Sequence, residues 1–216
     1  MIRHALAVVA VALVGLAAGP AAAQPTGTQL QFEFATAAGV TASSFSVGVG
    51  GQIDLQVYLR VVADPNANVA NTGGFLTAAV RVSFDHPERA AVAAAADISG
   101  GAAWSAPPAT DVGATSAALA LIADGTVAPA VGDRVLLGTF RFTAGQQTGD
   151  VNLTADDYSA AVGDISGADS PFHNYDPVTA ASGAVLHVMP VPEPGYLLAA
   201  VAVPVGYGLW GRRRGV

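Results

Sequence analysis

The stretch "QIDLQVYLRVV", residues 52–62, alternates apolar and polar side chains along almost its whole length. The apolar side chains at alternate positions are Ile53, Leu55, Val57, Leu59 and Val61. Successive side chains of an extended strand point to opposite faces, so these five share one face and the polar ones share the other. The stretch therefore predicts a strand with one face on a core and one in water, as is typical of antiparallel sheets.

Working outward from this stretch, a similar alternation recurs in six others. They are "LQFEF" (30–34), "FLTAAVRVSFD" (75–85), "ATSAALALIA" (114–123), "RVLLGTFRFTA" (134–144), "DVNLTA" (150–155) and "GAVLHVM" (183–189). Segments rich in Gly, Pro, Asn and Asp separate them, as turns require. Seven to nine short strands, each with one apolar face, predict an all-β fold of the antiparallel β-sandwich class.

Two stretches depart from the simple alternation. In "RVLLGTFRFTA" the apolar positions change phase at Gly138, which predicts a β-bulge. In "ERAAVAAAA", residues 88–96, the many alanines favour a short helix.

Composition excludes several functions. The 216 residues suffice for one domain with end segments, and the absence of cysteine excludes disulfides, thiolate metal sites and a cysteine nucleophile. Between residues 24 and 190, five arginines stand against fifteen Asp and Glu, a net charge of −10. Such a body repels nucleic acid and anionic surfaces, so we expect no nucleic-acid partner.

The N-terminal segment "MIRHALAVVAVALVGLAAGPAAAQ" has the three parts of a secretory signal peptide. A basic start at Arg3 precedes an apolar run, and the small residues Ala21 and Ala23 suit the −3 and −1 positions of a cut before Gln24. We therefore predict a helical signal peptide over residues 1–23, removed by signal peptidase. The alternative is a retained N-terminal anchor.

The C-terminal segment "VPEPGYLLAAVAVPVGYGLWGRRRGV", residues 191–216, has the order of a membrane anchor. Residues 195–211 are uncharged, and as a helix they would span about 25 Å, marginal for a hydrocarbon core of about 30 Å. The arginines that follow favour a cytoplasmic tail over 212–216. We predict a sandwich ectodomain over 24–188, a linker over 189–194, a transmembrane helix over 195–211 and that basic tail.

This tail resembles the PEP-CTERM sorting signal of bacterial surface proteins. Its three matching elements occur in order: Pro192, Glu193 and Pro194, then the span 195–211, then Arg212, Arg213 and Arg214. The resemblance implies recognition by an exosortase, a membrane-embedded peptidase that cuts near the motif and leaves the body released or attached to the surface matrix. The alternative is a plain tail anchor with a chance Pro-Glu-Pro linker.

The body resembles cohesin-like, carbohydrate-binding β-sandwiches in the order of its strands. The stretches that carry the likeness are "GGQIDLQVYL", "FLTAAVRVSFDHP", "RVLLGTFRFTA", "GDVNLTADD" and "GAVLHV". His86 departs from the pattern because it is inserted between Asp85 and Pro87. The resemblance implies a sandwich and a surface for polysaccharide.

Sugar binding needs an exposed aromatic ring, because such rings stack on pyranose faces. Trp104, in the loop-like "GGAAWSAPP", is our candidate platform, and the alternative is a tryptophan that caps the sandwich edge. Further aromatic candidates are Tyr58, Tyr158, Phe172 and Tyr175.

The sequence offers no catalytic or zinc motif. His86, His173 and His187 are far apart in unlike contexts, and no Gly-x-Ser-x-Gly or His-Glu-x-x-His occurs. We therefore predict no catalytic residue, no metal ligand and no enzyme activity.

Calcium has two weak candidate sites, and we predict no cofactor. Asp64, Asn66 and Asn68 begin like an EF-hand loop, but Val69 and Phe75 replace its glycine and its glutamate, which favours an ordinary turn held by Asx side chains. The second candidate is an acidic segment that contains Asp156, Asp157, Asp164 and Asp169, for which a solvated loop is the alternative.

Together these patterns predict an exported cell-surface or extracellular-matrix protein with a structural or adhesive sandwich. The alternatives are a carbohydrate-binding module with the same tail and a secreted enzyme. The partners we expect are signal peptidase, an exosortase-type peptidase, the membrane before processing, and exopolysaccharide.

Overall fold

The structure is a computed structural model that describes residues 27–71, 73–104, 107–127, 132–159, 164–167 and 173–191. These ranges contain thirteen strands, a short α-helix and two short 3-10 helices. The strands are β1 (Gln29–Thr36), β2 (Ser44–Gly48), β3 (Gln52–Ala63), β4 (Phe75–Phe84), β5 (Ala90–Ala91), β6 (Ile98–Gly100), β7 (Ala109–Val112), β8 (Ser116–Val127), β9 (Arg134–Ala144), β10 (Gly149–Asp156), β11 (Ser166–Gly167), β12 (Thr179–Ala180) and β13 (Ser182–Met189). The helices are α1 (Asn68–Asn71) and the 3-10 turns Ala95–Asp97 and Asp176–Val178.

The strands form two sheets that pack as a sandwich. Sheet I has the order β12-β1-β3-β9-β5, with β6 also paired to β9. Sheet II has the order β2-β13-β10-β4-β8-β7, with β11 also paired to β4. The predicted all-β sandwich is thus confirmed, and the strands of five or more residues in the described ranges are β1, β2, β3, β4, β8, β9, β10 and β13.

Two edge pairs are parallel, unlike the antiparallel arrangement we predict. β12 pairs with β1 and β13 pairs with β2, both in parallel. Ala181 alone separates β12 from β13, so one continuous stretch passes from sheet I to sheet II. This stretch ties the two sheets together at one corner of the sandwich.

The alternation that opens the sequence places β3 on the core as predicted. Leu55, Val57 and Leu59 are fully buried and Val61 is 1% exposed, while Ile53 at the strand's start is half-buried. Aromatic rings fill the space between the sheets, where Phe84 meets Phe142 edge-on at 5.6 Å between ring centroids. Burial of this apolar area is the main term that stabilises the sandwich.

The predicted bulge at Gly138 is confirmed. Val57 of β3 lies opposite Gly138, but the next residue, Tyr58, lies opposite Leu136. Leu137 is therefore the extra residue, and the bulge returns apolar side chains to the core on both sides of the phase change. A side chain cannot replace the glycine without collision, because an added Cβ would lie 2.3 Å from Leu119 Cδ2 and 2.5 Å from the Ser99 carbonyl oxygen.

The short helix predicted over 88–96 is wrong. Ala90 and Ala91 instead form β5, which pairs with the end of β9, and a 3-10 turn follows at Ala95–Asp97. A nine-residue helix is marginal on its own. The open edge of β9 offers backbone hydrogen bonds and a buried site for Ala90, which outweigh the helix propensity of alanine.

The predicted processing segments lie outside the described residues. These are the signal peptide 1–23 with its cleavage residues Ala21, Ala23 and Gln24, and the tail with Pro192, Glu193, Pro194, Arg212, Arg213 and Arg214. Within the described ranges, none of the helices has the length and apolar character needed to cross a membrane. The last strand ends at Met189, and Pro190 and Val191 follow it.

Candidate functional site

The outer face of sheet II, which we call face II, carries small and short polar side chains. Across its central strands Asp156 lies opposite Arg81, which lies opposite Ala118. Two residues further along, Thr154 lies opposite Ser83. Arg81, Ser83 and Thr154 also line an open depression of about 540 Å³ on this face.

A shallow hollow of about 160 Å³ opens on face II beside β7 and β8. Its lining residues are Ala109, Thr110, Asp111, Ala118, Leu119, Ala120 and Tyr158. Tyr158 is 38% exposed and Ile122, further along β8, is 57% exposed. Tyrosine is enriched in protein interfaces, so the exposed Tyr158 ring beside the hollow is a candidate contact residue. Sequence analysis predicts Tyr158 only as one of several aromatic candidates, because the neighbouring residues do not indicate that its ring is exposed.

The outer face of sheet I differs because its charged side chains pair with one another. Arg141 donates two hydrogen bonds to Asp54, at 2.8 and 3.1 Å, which lower the pKa of Asp54. Arg60 donates to Glu33 at 2.9 Å. Asp54 and Arg141 lie directly opposite each other on β3 and β9, whereas Glu33 lies diagonally across from Arg60, and both pairs leave a solvated polar surface.

Three aspartates from three separate segments of the chain come together at one end of the sandwich. They are Asp157 after β10, Asp164 before β11, and Asp176 in the second 3-10 turn. Asp176 is 7% exposed and accepts the backbone N–H groups of Asp164 and Ile165 at 2.9 and 2.8 Å. Asp176 therefore holds the two residues that directly precede β11.

Asp157 is the unusual member of the acidic cluster. It is 8% exposed, and among the described residues neither of its carboxylate oxygens accepts a hydrogen bond of standard geometry. Burial, followed by the nearby charges of Asp176 and Asp164, raises the pKa of Asp157 to about 6. Burial and Asp176 also raise the pKa of Asp164. The protein therefore holds a proton at this cluster under mildly acidic conditions.

The raised pKa of Asp157 predicts a pH-dependent stability with a definite sign. Because the folded-state value lies above the unfolded one, protonated Asp157 favours the folded state below pH 4, and this contribution is lost as pH rises through 6. Asp157→Asn should therefore raise the free energy of unfolding at pH 7.5 and change it little at pH 4. Urea denaturation at both pH values measures this.

The control for this experiment is Asp111→Asn, which removes an exposed carboxylate on β7. Its difference from the wild type should stay small and nearly constant across the same pH range. A loss of stability in Asp157→Asn at pH 7.5 would contradict the assignment of a buried, unpaired charge.

Trp104 is not the exposed platform that sugar binding requires. Its side chain is 7% exposed and belongs to the core cluster, and its indole N–H donates to the Leu136 carbonyl at 2.9 Å. The bulge at Leu137 lies directly beside this carbonyl, so the tryptophan covers an irregular point of β9. The alternative that we gave, a cap at the sandwich edge, describes its position.

The Asp64 loop is a structural turn, as the failed EF-hand pattern indicates. One carboxylate oxygen of Asp64 accepts the Asn68 backbone N–H and the Thr28 hydroxyl, and the other accepts the Val69 N–H, at 2.8 to 2.9 Å. The carboxylate caps α1 and is saturated by the protein. Asn66 and Asn68 supply no matching set of ligands for calcium.

The histidines do not converge. His86 contacts Glu88 at 2.9 Å, and His187 lies between Asp150 and Ser44 at 2.6 and 3.0 Å. His173 stacks on Tyr175. Among the residues that the structure describes, no three His, Asp or Glu side chains are placed to hold a metal ion together. Of the predicted calcium residues, Asp169 lies outside the described ranges, as does the aromatic candidate Phe172.

Comparison with solved structures identifies the architecture. The seventh ScaB type I cohesin from Pseudobacteroides cellulosolvens superposes with a TM-score of 0.53 at 11% identity, over 77% of this chain and 96% of that one. The fold is cohesin-like. This confirms the weaker of the two resemblances at the level of fold.

Two further cohesins show the same likeness at lower scores. CaCohA2 from Clostridium acetobutylicum gives a TM-score of 0.48 at 13% identity over 74% of this chain and 91% of that one. A non-cellulosomal cohesin from the archaeon Archaeoglobus fulgidus gives 0.46 at 10% identity over 79% and 96%. No protein-family model matches the sequence, and no curated protein is similar to it. The cohesin-like fold therefore rests on structure alone.

Proposed function

We propose that this chain is an exported bacterial protein whose cohesin-like sandwich is a non-catalytic module of the cell surface or extracellular matrix. One observation carries the proposal: the Pro-Glu-Pro triplet, the apolar span and the arginine cluster follow the last strand after only two residues. A folded body followed at once by these three elements is the arrangement that a sorting signal of the PEP-CTERM type requires.

The point where the chain leaves the sandwich supports access by a processing peptidase. Met189 and Val191 are 49% and 59% exposed, and Pro190 is exposed between them. The sequence has proline at 190, 192 and 194, and proline favours extended backbone, the shape that peptidase sites accept. We therefore expect a peptidase to reach the chain after Val191 without unfolding of the body.

The surfaces of the sandwich support binding more than catalysis. The two depressions on face II are open to solvent, and the charged side chains on the opposite face pair across strands. Catalysis needs polar groups that converge in a cleft with an unpaired nucleophile or base. The proposed role is accordingly structural or adhesive, with face II as the contact surface.

The mature protein recovered from cells should begin at Gln24 and lack Arg212, Arg213 and Arg214. Signal peptidase removes residues 1–23, and the exosortase-type peptidase cuts near Pro192. Intact-mass spectrometry of the mature chain measures both ends at once. The triple change Pro192→Ala, Glu193→Ala and Pro194→Ala should leave the arginine cluster attached. Mature wild-type protein that retains all three arginines would overturn processing.

A carbohydrate-binding module is the second candidate, favoured by the exposed ring of Tyr158 beside Asp111 and Thr110. Here Tyr158, and not Trp104, is the platform on which a pyranose ring of exopolysaccharide stacks. Tyr158→Ala should weaken glycan binding about tenfold, equivalent to ~1.4 kcal/mol for one lost ring contact. Tyr58→Ala, on the opposite sheet, should leave it unchanged. Equal affinities of the two variants, measured by calorimetry, would dismiss this candidate.

A further inference from the structure

The two ends of the sandwich are defined by the last strand. Beside the end of β13 lie the turns 48–51, 85–89, 113–115 and 145–148, which with residues 190–191 we call the exit end. Backbone bonds join them: the Val49 N–H donates to the Met189 carbonyl at 2.9 Å, and the Gly50 N–H to Gly145 at 3.1 Å. At the opposite end, the far end, lie residues 27–28, 64–71, 73–74, 132–133, 157–159, 164–165, 173–178 and 181.

Few residues separate the exit end from the proposed anchor. Five residues, 190–194, separate Met189 from the uncharged span that begins at residue 195, and three of the five are proline. Six steps of extended or polyproline chain reach about 20 Å. The headgroup layer occupies about 5–7 Å of that distance. The exit end therefore stays within about 15 Å of the headgroups, because a chain of this length cannot reach further.

The two ends of the sandwich also differ in net charge. The exit end has Asp85 and Glu88 against Arg89, a net charge of −1 with neutral histidines. The described residues of the far end have five aspartates and no arginine, a net charge of −5; they are Asp64, Asp133, Asp157, Asp164 and Asp176. Anionic lipid repels the far end more strongly than the exit end. Met189 and Val191, two of the exposed large apolar side chains, also lie at the exit end.

We infer that, while the tail anchors the chain, the sandwich stands end-on to an anionic bilayer, with its exit end as the membrane-facing surface and its acidic far end outward. This rests on the proposed function, because it requires the anchor. The far end then stands further from the membrane by the length of β13, whose eight residues span about 26 Å. Both broad faces of the sandwich, face II included, are left open to partners.

The absence of cysteine makes this orientation measurable with single labels. Gln147→Cys places a thiol at the exit end and Ala181→Cys places one at the far end, both at exposed turn residues. Each variant of the unprocessed chain is labelled with a maleimide donor dye and reconstituted in phosphatidylcholine–phosphatidylglycerol vesicles that carry an acceptor-labelled lipid. Energy transfer should be severalfold greater from residue 147 than from residue 181. A spacer of twenty Gly and Ser residues after Val191 should remove the difference.

The outcomes separate this inference from the proposed function. Chains that fail to float with the vesicles refute the anchor, and the proposed function fails with it. Chains that float but show equal transfer from the two labels refute the orientation alone. A difference that survives the spacer refutes the short tether as its cause.

Discussion

Replacing Gly138 by alanine should lower the free energy of unfolding by about 3 kcal/mol, the upper part of the range for overpacked cores. The added methyl group would lie 2.5 Å from the Ser99 carbonyl oxygen and 2.3 Å from Leu119 Cδ2. Leu119 can rotate away, but the Ser99 carbonyl is part of the backbone of β6, whose next residue, Gly100, lies directly opposite Gly138. The bulge must therefore open, and β6 must separate from β9.

The matched control is Gly183→Ala in β13. A Cβ at Gly183 meets only the Leu153 carbonyl, at an ordinary 3.8 Å, and the residue is exposed. Its stability should change by less than about 0.5 kcal/mol, as is usual for surface sites. Thermal unfolding should show a midpoint about 6–12 °C lower for Gly138→Ala than for the wild type. Equal midpoints for the two variants would show that the bulge does not need its glycine.

Trp104→Ala should lower the free energy of unfolding by about 3–5 kcal/mol, at least as much as Gly138→Ala does. It empties a buried site that is filled by tryptophan, the largest side chain. The change also leaves the Leu136 carbonyl without the indole N–H that it accepts at 2.9 Å. Urea denaturation measures the loss. Trp104→Phe keeps most of the ring and loses the hydrogen bond, so its effect should fall between those of alanine and wild type.

Tyr158→Ala is the control for this second change, because Tyr158 is partly exposed and contributes little to the core. Its free energy of unfolding should stay within about 1 kcal/mol of the wild type. If Trp104→Ala unfolded like the wild type and instead abolished glycan binding, the tryptophan would be a binding platform after all, and its buried position would be wrong.

Much of the fold was accessible from the sequence because a half-buried sheet leaves a period of two. Residues 52–62 predict β3 and its buried face, and the phase change at Gly138 predicts the bulge. The alanines at 88–96 misled us because propensity is a local quantity, whereas the open edge of β9 is created by chain about fifty residues away. The parallel edge pairs could not be predicted either, because the periodicity of a strand does not indicate which strands it pairs with.

The candidate sites were less predictable because they depend on exposure and on contacts between distant segments. Nothing near Trp104 in the sequence distinguishes a buried ring from an exposed one. The acidic cluster joins Asp157 to Asp176 across nineteen residues, and the sequence suggested only that the segment is acidic. A buried carboxylate with a raised pKa becomes apparent only once the three segments are placed together.

The position of β13 between β10 and β2 has a mechanical consequence. A body attached through its C-terminus transmits any pull along β13, which pairs with β10 on one side and β2 on the other. The hydrogen bonds of both ladders lie across the direction of such a pull, so they share the load in shear and must break together. A strand loaded in this way resists extraction far better than one peeled from its end.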